Sequence, residues 1–124
     1  MPTILIVDDD DAIRSVLYDL LSEKYECHTA SVAEEALQFM EVESYDAILT
    51  DIEMPGLDGI SLLGRIRQRE AHTPVILVSG KASAQADELI KLGAFAYISK
   101  PFDLDEVEQV VERAVIKKQD TPDN

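Results

Sequence analysis

Apolar residues fall along this chain in two kinds of run, and the alternation between them predicts the fold. Thr3-Ile4-Leu5-Ile6-Val7, Ala47-Ile48-Leu49-Thr50 and Pro74-Val75-Ile76-Leu77-Val78 are short and continuous, as strands buried on both faces require. The proline sits at a strand start, where no ladder donor is lost. Glu26 to Ala30 reads as a weaker, edge-like strand, and Ala94 to Ser99 as a fifth. Between them the apolar spacing turns helical. Ile13, Val16, Leu17, Leu20 and Leu21 form one stripe, with Arg14, Ser15, Tyr18 and Asp19 facing elsewhere. Val32, Ala33, Ala36, Leu37 and Met40 form a second stripe, opened by a capping box of Ser31 and Glu34. Asp58-Gly59 opens a third helix, in which Ile60, Leu63 and Ile66 lead to the basic end Arg65, Arg67 and Arg69, favourable at the negative end of a helix dipole. A fourth helix, about Ser83 to Leu92, has Ala86, Leu89 and Ile90 as its stripe and closes at Gly93; it is predicted to be the least firmly packed. Asp103 and Glu106 form a capping box for a fifth, built on Leu104, Val107, Val111, Ala114 and Val115. The polar stretch from Lys117 to Asn124 is expected to be disordered or to begin a linker, so that residues 1–118 form the domain and 119–124 a tail.

Five strands alternating with five helices require a parallel sheet with helices on both faces, because parallel strands need right-handed crossovers. The fold class is therefore α/β, a doubly wound, flavodoxin-like sheet with the expected strand order 2-1-3-4-5. That order gathers the carboxyl ends of strands 1, 3, 4 and 5 around one crevice, the edge where ligands bind in open parallel sheets. The residues delivered there are Asp8 and Asp9, Asp51, Ser79 and Lys100.

Composition narrows the function. The 124 residues make one domain, 46% of them hydrophobic, enough for an ordinary core. There is no apolar run of about 18 residues to cross a bilayer, and the expected location is the cytoplasm. The formal charge of −14, from 25 acidic and 11 basic residues, opposes direct contact with nucleic acid. The single cysteine, Cys27, can form neither an internal disulfide nor a zinc cluster and is expected to be a small, at least half-buried apolar residue.

The acids at the crevice need a counter-charge. Two carboxylates roughly 5 Å apart at an effective dielectric of roughly 20 repel by about 3 kcal/mol, and a cation relieves this. Two or three carboxylates with open positions suit Mg²⁺, a hard ion that keeps several waters and often meets a phosphoryl group. With Lys100 adding an ammonium and Ser79 a hydroxyl, Asp51 on the central strand suits a nucleophile that becomes an aspartyl phosphate. Each residue alone has a plainer explanation. Asp9 to Asp11 suit a helix start, Ser79 a cap and Lys100 a snorkelling surface position. Those explanations do not account for four separate segments delivering such groups to one edge.

These residues resemble the receiver domain of two-component response regulators over about residues 3 to 116. The resemblance is carried by Leu5-Ile6-Val7-Asp8-Asp9, Asp51-x-x-Met54-Pro55-x-x-Asp58-Gly59, Val78-Ser79-Gly80, and Gly93-Ala94 followed by Tyr97-x-x-Lys100-Pro101-Phe102. It implies that Asp51 accepts a phosphoryl group from a sensor histidine kinase or phosphotransfer protein. It implies that Asp9, Asp51 and the carbonyl of Glu53 bind Mg²⁺, with Asp8 helping through water, and that the Lys100–Pro101 peptide is cis. Ser79 and Tyr97 would be the switch, altering the face of helix 4, strand 5 and helix 5 to control an output domain or downstream partner. Glu53 and Lys81 would tune the phosphoryl lifetime and pair across the opening. Helix 1, with Arg14 and Tyr18, is the expected kinase-docking surface, and helices 4 and 5 a route to a homodimer. His28 and His72 match no motif and are expected to be exposed or incidental. The rival readings are a haloacid dehalogenase-like phosphatase, which wants Asp where Glu53 stands, and a receiver-like interaction module that is not phosphorylated.

Overall fold

The computed structural model describes residues 1–80 and 86–120. The elements alternate as β1 (Thr3–Val7), α1 (Asp11–Leu21), β2 (Glu26–Ala30), α2 (Ala33–Val42), β3 (Ala47–Asp51), α3 (Gly59–Arg69), β4 (Val75–Ser79), α4 (Ala86–Lys91), β5 (Ala96–Ser99) and α5 (Leu104–Asp120). The strands form one parallel sheet in the order β2-β1-β3-β4-β5, as the crossover argument requires.

Alternate strand residues feed two cores. Leu5, Val7, Ile48, Val75 and Leu77 pack with Ala36, Met40, Leu62, Leu63, Ile66 and Leu89, on the side of α2, α3 and α4. Ile4, Ile6, Leu49, Ile76, Val78 and Ile98 pack with Leu17, Leu21, Val107, Val111 and Ala114, on the side of α1 and α5. The pleat thus explains why the strands read as unbroken apolar runs, since both faces are covered.

Several helix assignments differ from expectation. Val16 is exposed, lining a cleft of about 530 Å³ with Ala12, Ile13, Pro101 and Phe102. Ile90 and Leu104 are exposed as well, whereas Leu62 and Val110, outside the predicted stripes, are buried. α2 begins one residue later than a Ser31 cap would allow. Val32 is its N-cap without a side-chain bond, and Glu35, rather than Glu34, accepts from the Ser31 N–H at 2.8 Å. At α5 the Asp103 carboxylate accepts from the Asp105 N–H at 2.9 Å. The predicted tail is helical as far as Asp120, with Lys117 Nζ 5.8 Å from the Phe95 ring centre. The expected start of the fourth helix at Ser83 lies outside the described residues. Its end is where the sequence puts it: Gly93 has φ +110°, and a Cβ there would meet the Arg67 side chain at 3.0 Å. Arg67 Nε donates to the Gly93 carbonyl at 3.0 Å, tying this turn to α3.

Candidate functional site

Register assembles the site. Val7 pairs with Thr50, Asp51 with Val78 and Ser79 with Ser99, so Asp8, Asp51, Ser79 and Lys100 lie along one carboxyl edge of the sheet. Asp8 and Asp51 are 2% and 4% exposed, Asp9 is exposed, and carboxylate oxygens of all three lie within 4.8 Å of one another. Lys100 Nζ stands 3.3 Å from both Asp8 Oδ2 and Asp51 Oδ2. The Lys100–Pro101 peptide is cis.

The turn between β1 and α1 is held from three directions. Asp8 N–H donates to the Ala30 carbonyl at 3.1 Å, Asp8 Oδ1 accepts from the Asp10 N–H at 2.9 Å, and Arg14 Nη1 donates to the Asp8 carbonyl at 2.7 Å. Asp10 in turn caps α1, accepting from the Ala12 and Ile13 N–H groups. Arg14 also pairs with Asp11, so it braces the acidic turn instead of facing outward as expected; Tyr18 is exposed. An arginine one to two helical turns after an acidic strand end was the available signal.

On the other flank, Asp51 leads into a loop closed by the Ile52 N–H on the Val78 carbonyl and the Gly59 N–H on the Ile52 carbonyl, both at 2.9 Å. Asp58 accepts from the Ser61 N–H at 2.8 Å and caps α3. Gly59 is obligatory for space, because a Cβ would stand 2.3 Å from the Asp51 carbonyl oxygen. Glu53 Oε2 accepts from the Ser79 hydroxyl at 2.6 Å, and Oε1 lies 3.4 Å from the Gly80 N–H. Lys81, the partner expected for Glu53, lies outside the described residues. Tyr97 is half-buried against the core on the α3 and α4 side.

Electrostatics single out Asp51. Burial, then the Asp8 charge and that of Glu53, push its pKa up to about 6 against the pull of Lys100. Asp8 is also raised, by burial first, with the Asp10 N–H and Lys100 opposing. Burial pulls Lys100 down, but Asp8 and Asp51 together outweigh it, so its pKa is raised and it stays an ammonium. Asp51 Oδ1 is buried with no hydrogen-bond partner among the described residues. A buried carboxylate oxygen with free lone pairs, among two further acids and with oxygen donors only, fits a small hard divalent cation.

Away from this edge, His28 is not incidental. Its Nδ1 is 2.7 Å from the Tyr45 hydroxyl and its Nε2 3.0 Å from Glu26, with the Tyr45 ring edge-on. His72 is exposed, and Cys27 is half-buried, its thiol pushed up to about 11 by burial.

A sequence model of the family described as the response regulator receiver domain matches residues 4–112. The regulatory protein AtoC of Escherichia coli (strain K12) is 42% identical over 114 residues, covering 90% of this chain and 25% of AtoC. A response regulator receiver domain protein from Clostridium thermocellum superposes with a TM-score of 0.89 at 32% identity, covering 96% of this chain and 98% of that one. The response regulator protein TrrA of Thermotoga maritima, solved in complex with Mg²⁺ and BeF, superposes with a TM-score of 0.82 at 36% identity, covering 92% and 99%. The chain spans about a quarter of the length of the first curated relatives it matches.

Proposed function

We infer the activity from a plain premise: the chain belongs to the response regulator receiver domains, signalling domains of two-component systems that are phosphorylated on an aspartate. Asp51 is the acceptor. The observation that supports this is its buried carboxylate at the end of β3, with one oxygen on Lys100 and the other without a hydrogen-bond partner. That oxygen attacks phosphorus. The bond from phosphorus to the donor's imidazole nitrogen breaks, its electron pair stays on the nitrogen, and an acyl phosphate forms on Asp51. With a pKa of about 6, Asp51 is mostly ionised at neutral pH, as a nucleophile must be. Lys100 offsets charge on the phosphoryl oxygens. Hydrolysis returns the free carboxylate, so the only reactions catalysed are the domain's own phosphorylation and dephosphorylation.

Mg²⁺ would be held by Asp9, Asp51 and the Glu53 carbonyl, with Asp8 acting through water; when bound it supplies positive charge to the transferring group. The carboxylate cluster and the Mg²⁺–BeF complex of TrrA support this reading. Ser79 then turns to the phosphoryl oxygen and Tyr97 moves inward, shifting a pre-existing equilibrium of the α4, β5 and α5 face. That face acts on an output domain or a downstream protein, and is also the homodimer route. The donor is a sensor histidine kinase or phosphotransfer protein. Among the described residues no helix is long and apolar enough to cross a membrane. Incubation with acetyl phosphate and Mg²⁺ should add one phosphoryl group by intact mass, and Asp51→Asn should abolish it. Undiminished labelling of that variant would refute the assignment.

A further inference from the structure

Glu53 stands two residues after Asp51, yet its carboxylate belongs to the end of β4. It accepts the Ser79 hydroxyl at 2.6 Å and faces the Gly80 N–H at 3.4 Å. A hydroxyl bound to a carboxylate is a short, charge-assisted contact, roughly twice as strong as its neutral counterpart. Ser79 is 2% exposed, so water is a poor substitute partner. The Ser79 hydroxyl has one proton and can give it to one acceptor at a time.

We propose that Glu53 is a charge-released latch: its carboxylate holds the Ser79 hydroxyl and the Gly80 amide before phosphorylation, and the phosphoryl group on Asp51 displaces it. This rests on the function inferred above and assigns Glu53 a positioning role that precedes the chemistry. Turning the ionised Asp51 carboxylate into an acyl phosphate replaces one charge by about −1.5 to −2, a net gain of about −0.5 to −1, and places three acceptor oxygens beside Ser79. Beside it the single charge of Glu53 is repelled, while the freed Ser79 proton gains a stronger acceptor. The two events are coupled, since the group that expels the carboxylate also takes its hydrogen bond. Glu53 thereby weights the threshold for switching: removing its acceptor should loosen the hold on Ser79, and removing only its charge takes away the repulsion that opens the latch.

Two substitutions separate these effects in the full chain. Glu53→Ala removes the acceptor and the charge, whereas Glu53→Gln keeps an acceptor oxygen without the charge. In the free protein, hydrogen exchange of the Gly80 amide, held by a long 3.4 Å contact, should quicken a few-fold in Glu53→Ala, and also in Glu53→Gln, whose single acceptor oxygen stays on Ser79. With beryllofluoride and Mg²⁺ as the probe, the β5 amides, a strand away from the substitution, should move fully in wild type and Glu53→Ala. In Glu53→Gln they should move only part of the way. Unchanged exchange in Glu53→Ala, or a Glu53→Gln variant that matches Glu53→Ala in the beryllofluoride readout, overturns the latch. A wild-type chain that takes up no beryllofluoride and no phosphoryl group sinks the function itself and the release step with it, while the exchange measurement still decides whether the Glu53 carboxylate is seated at the end of β4.

Discussion

Replacing Asp51 by Asn should make the metal-free protein more stable, and by an amount that depends on pH. The folded-state pKa of Asp51 is about 6, above the ordinary 3.8, chiefly because burial penalises the charge. Between those values the folded chain binds more protons than the unfolded one, so the contribution of this residue to stability falls as pH rises through the window. That is opposite in sign to a salt-bridged surface carboxylate. At about 1.36 kcal/mol per pKa unit, the ionised side chain costs about 3 kcal/mol at pH 7.5, about 1.6 at pH 5 and about 0.6 at pH 4. Asn avoids the charge, although its amide finds imperfect partners, so a gain of about 1–3 kcal/mol at pH 7.5 is expected. With a urea slope of about 1–3 kcal/mol per molar, this moves the unfolding midpoint by several tenths of a molar to a few molar. Urea titrations of both proteins at pH 7.5, 5 and 4 measure it. Mg²⁺ at about one hundred times its dissociation constant should add about 2.7 kcal/mol to wild type and much less to the variant. An Asn variant that gains nothing at pH 7.5, or a difference that does not shrink toward pH 4, would refute the electrostatic account of the site.

Two further outcomes follow from the supporting structure. Gly59→Ala forces a Cβ to 2.3 Å from the Asp51 carbonyl oxygen and 2.8 Å from Ile52 Cα, so α3 must back away. It should lose about 1–3 kcal/mol or more, read by urea unfolding, with weaker Mg²⁺ binding by calorimetry. Tyr45→Phe removes the hydroxyl bonded to His28 Nδ1 at 2.7 Å and should cost about 1 kcal/mol; it should leave acetyl phosphate labelling unchanged, because the contact is at the β2 edge.

The sheet was legible because burial on both faces leaves continuous apolar runs, and each run stops where its strand leaves the core. Helix faces were less so. A stripe with helical period names a side but not its margin: Leu17 and Leu21 enter the core, while Val16, on the same stripe, meets the cleft beside Pro101 and Phe102. Leu104 fails likewise, since the first residue of a helix has no neighbour turn to cover it. The polar end of α5 continues to Asp120 because Lys117 and Lys118 suit the negative end of the helix dipole and Lys117 lies over Phe95. Polarity alone therefore did not mark the end of the domain's last helix.

At the site the division is sharper. Register is set by the backbone ladder, so a strand-end residue is placed once the strand order is known; Asp8, Asp51, Ser79 and Lys100 come together on that ground alone. Which partner a side chain chooses depends on distances of a few ångströms that no ladder fixes. Arg14 could have faced outward and Glu53 could have stayed with its own loop, and both residue types are at home in either role. The structure gives Arg14 to the Asp8 carbonyl and Glu53 to the Ser79 hydroxyl. Both choices follow one electrostatic logic. The basic group braces the turn where acids crowd, and the acidic one takes a donor at the far side of the crevice, where its charge still acts on Asp51. A site that crowds acids around a single ammonium responds to any charge that enters it, and this sensitivity is what a receiver domain requires.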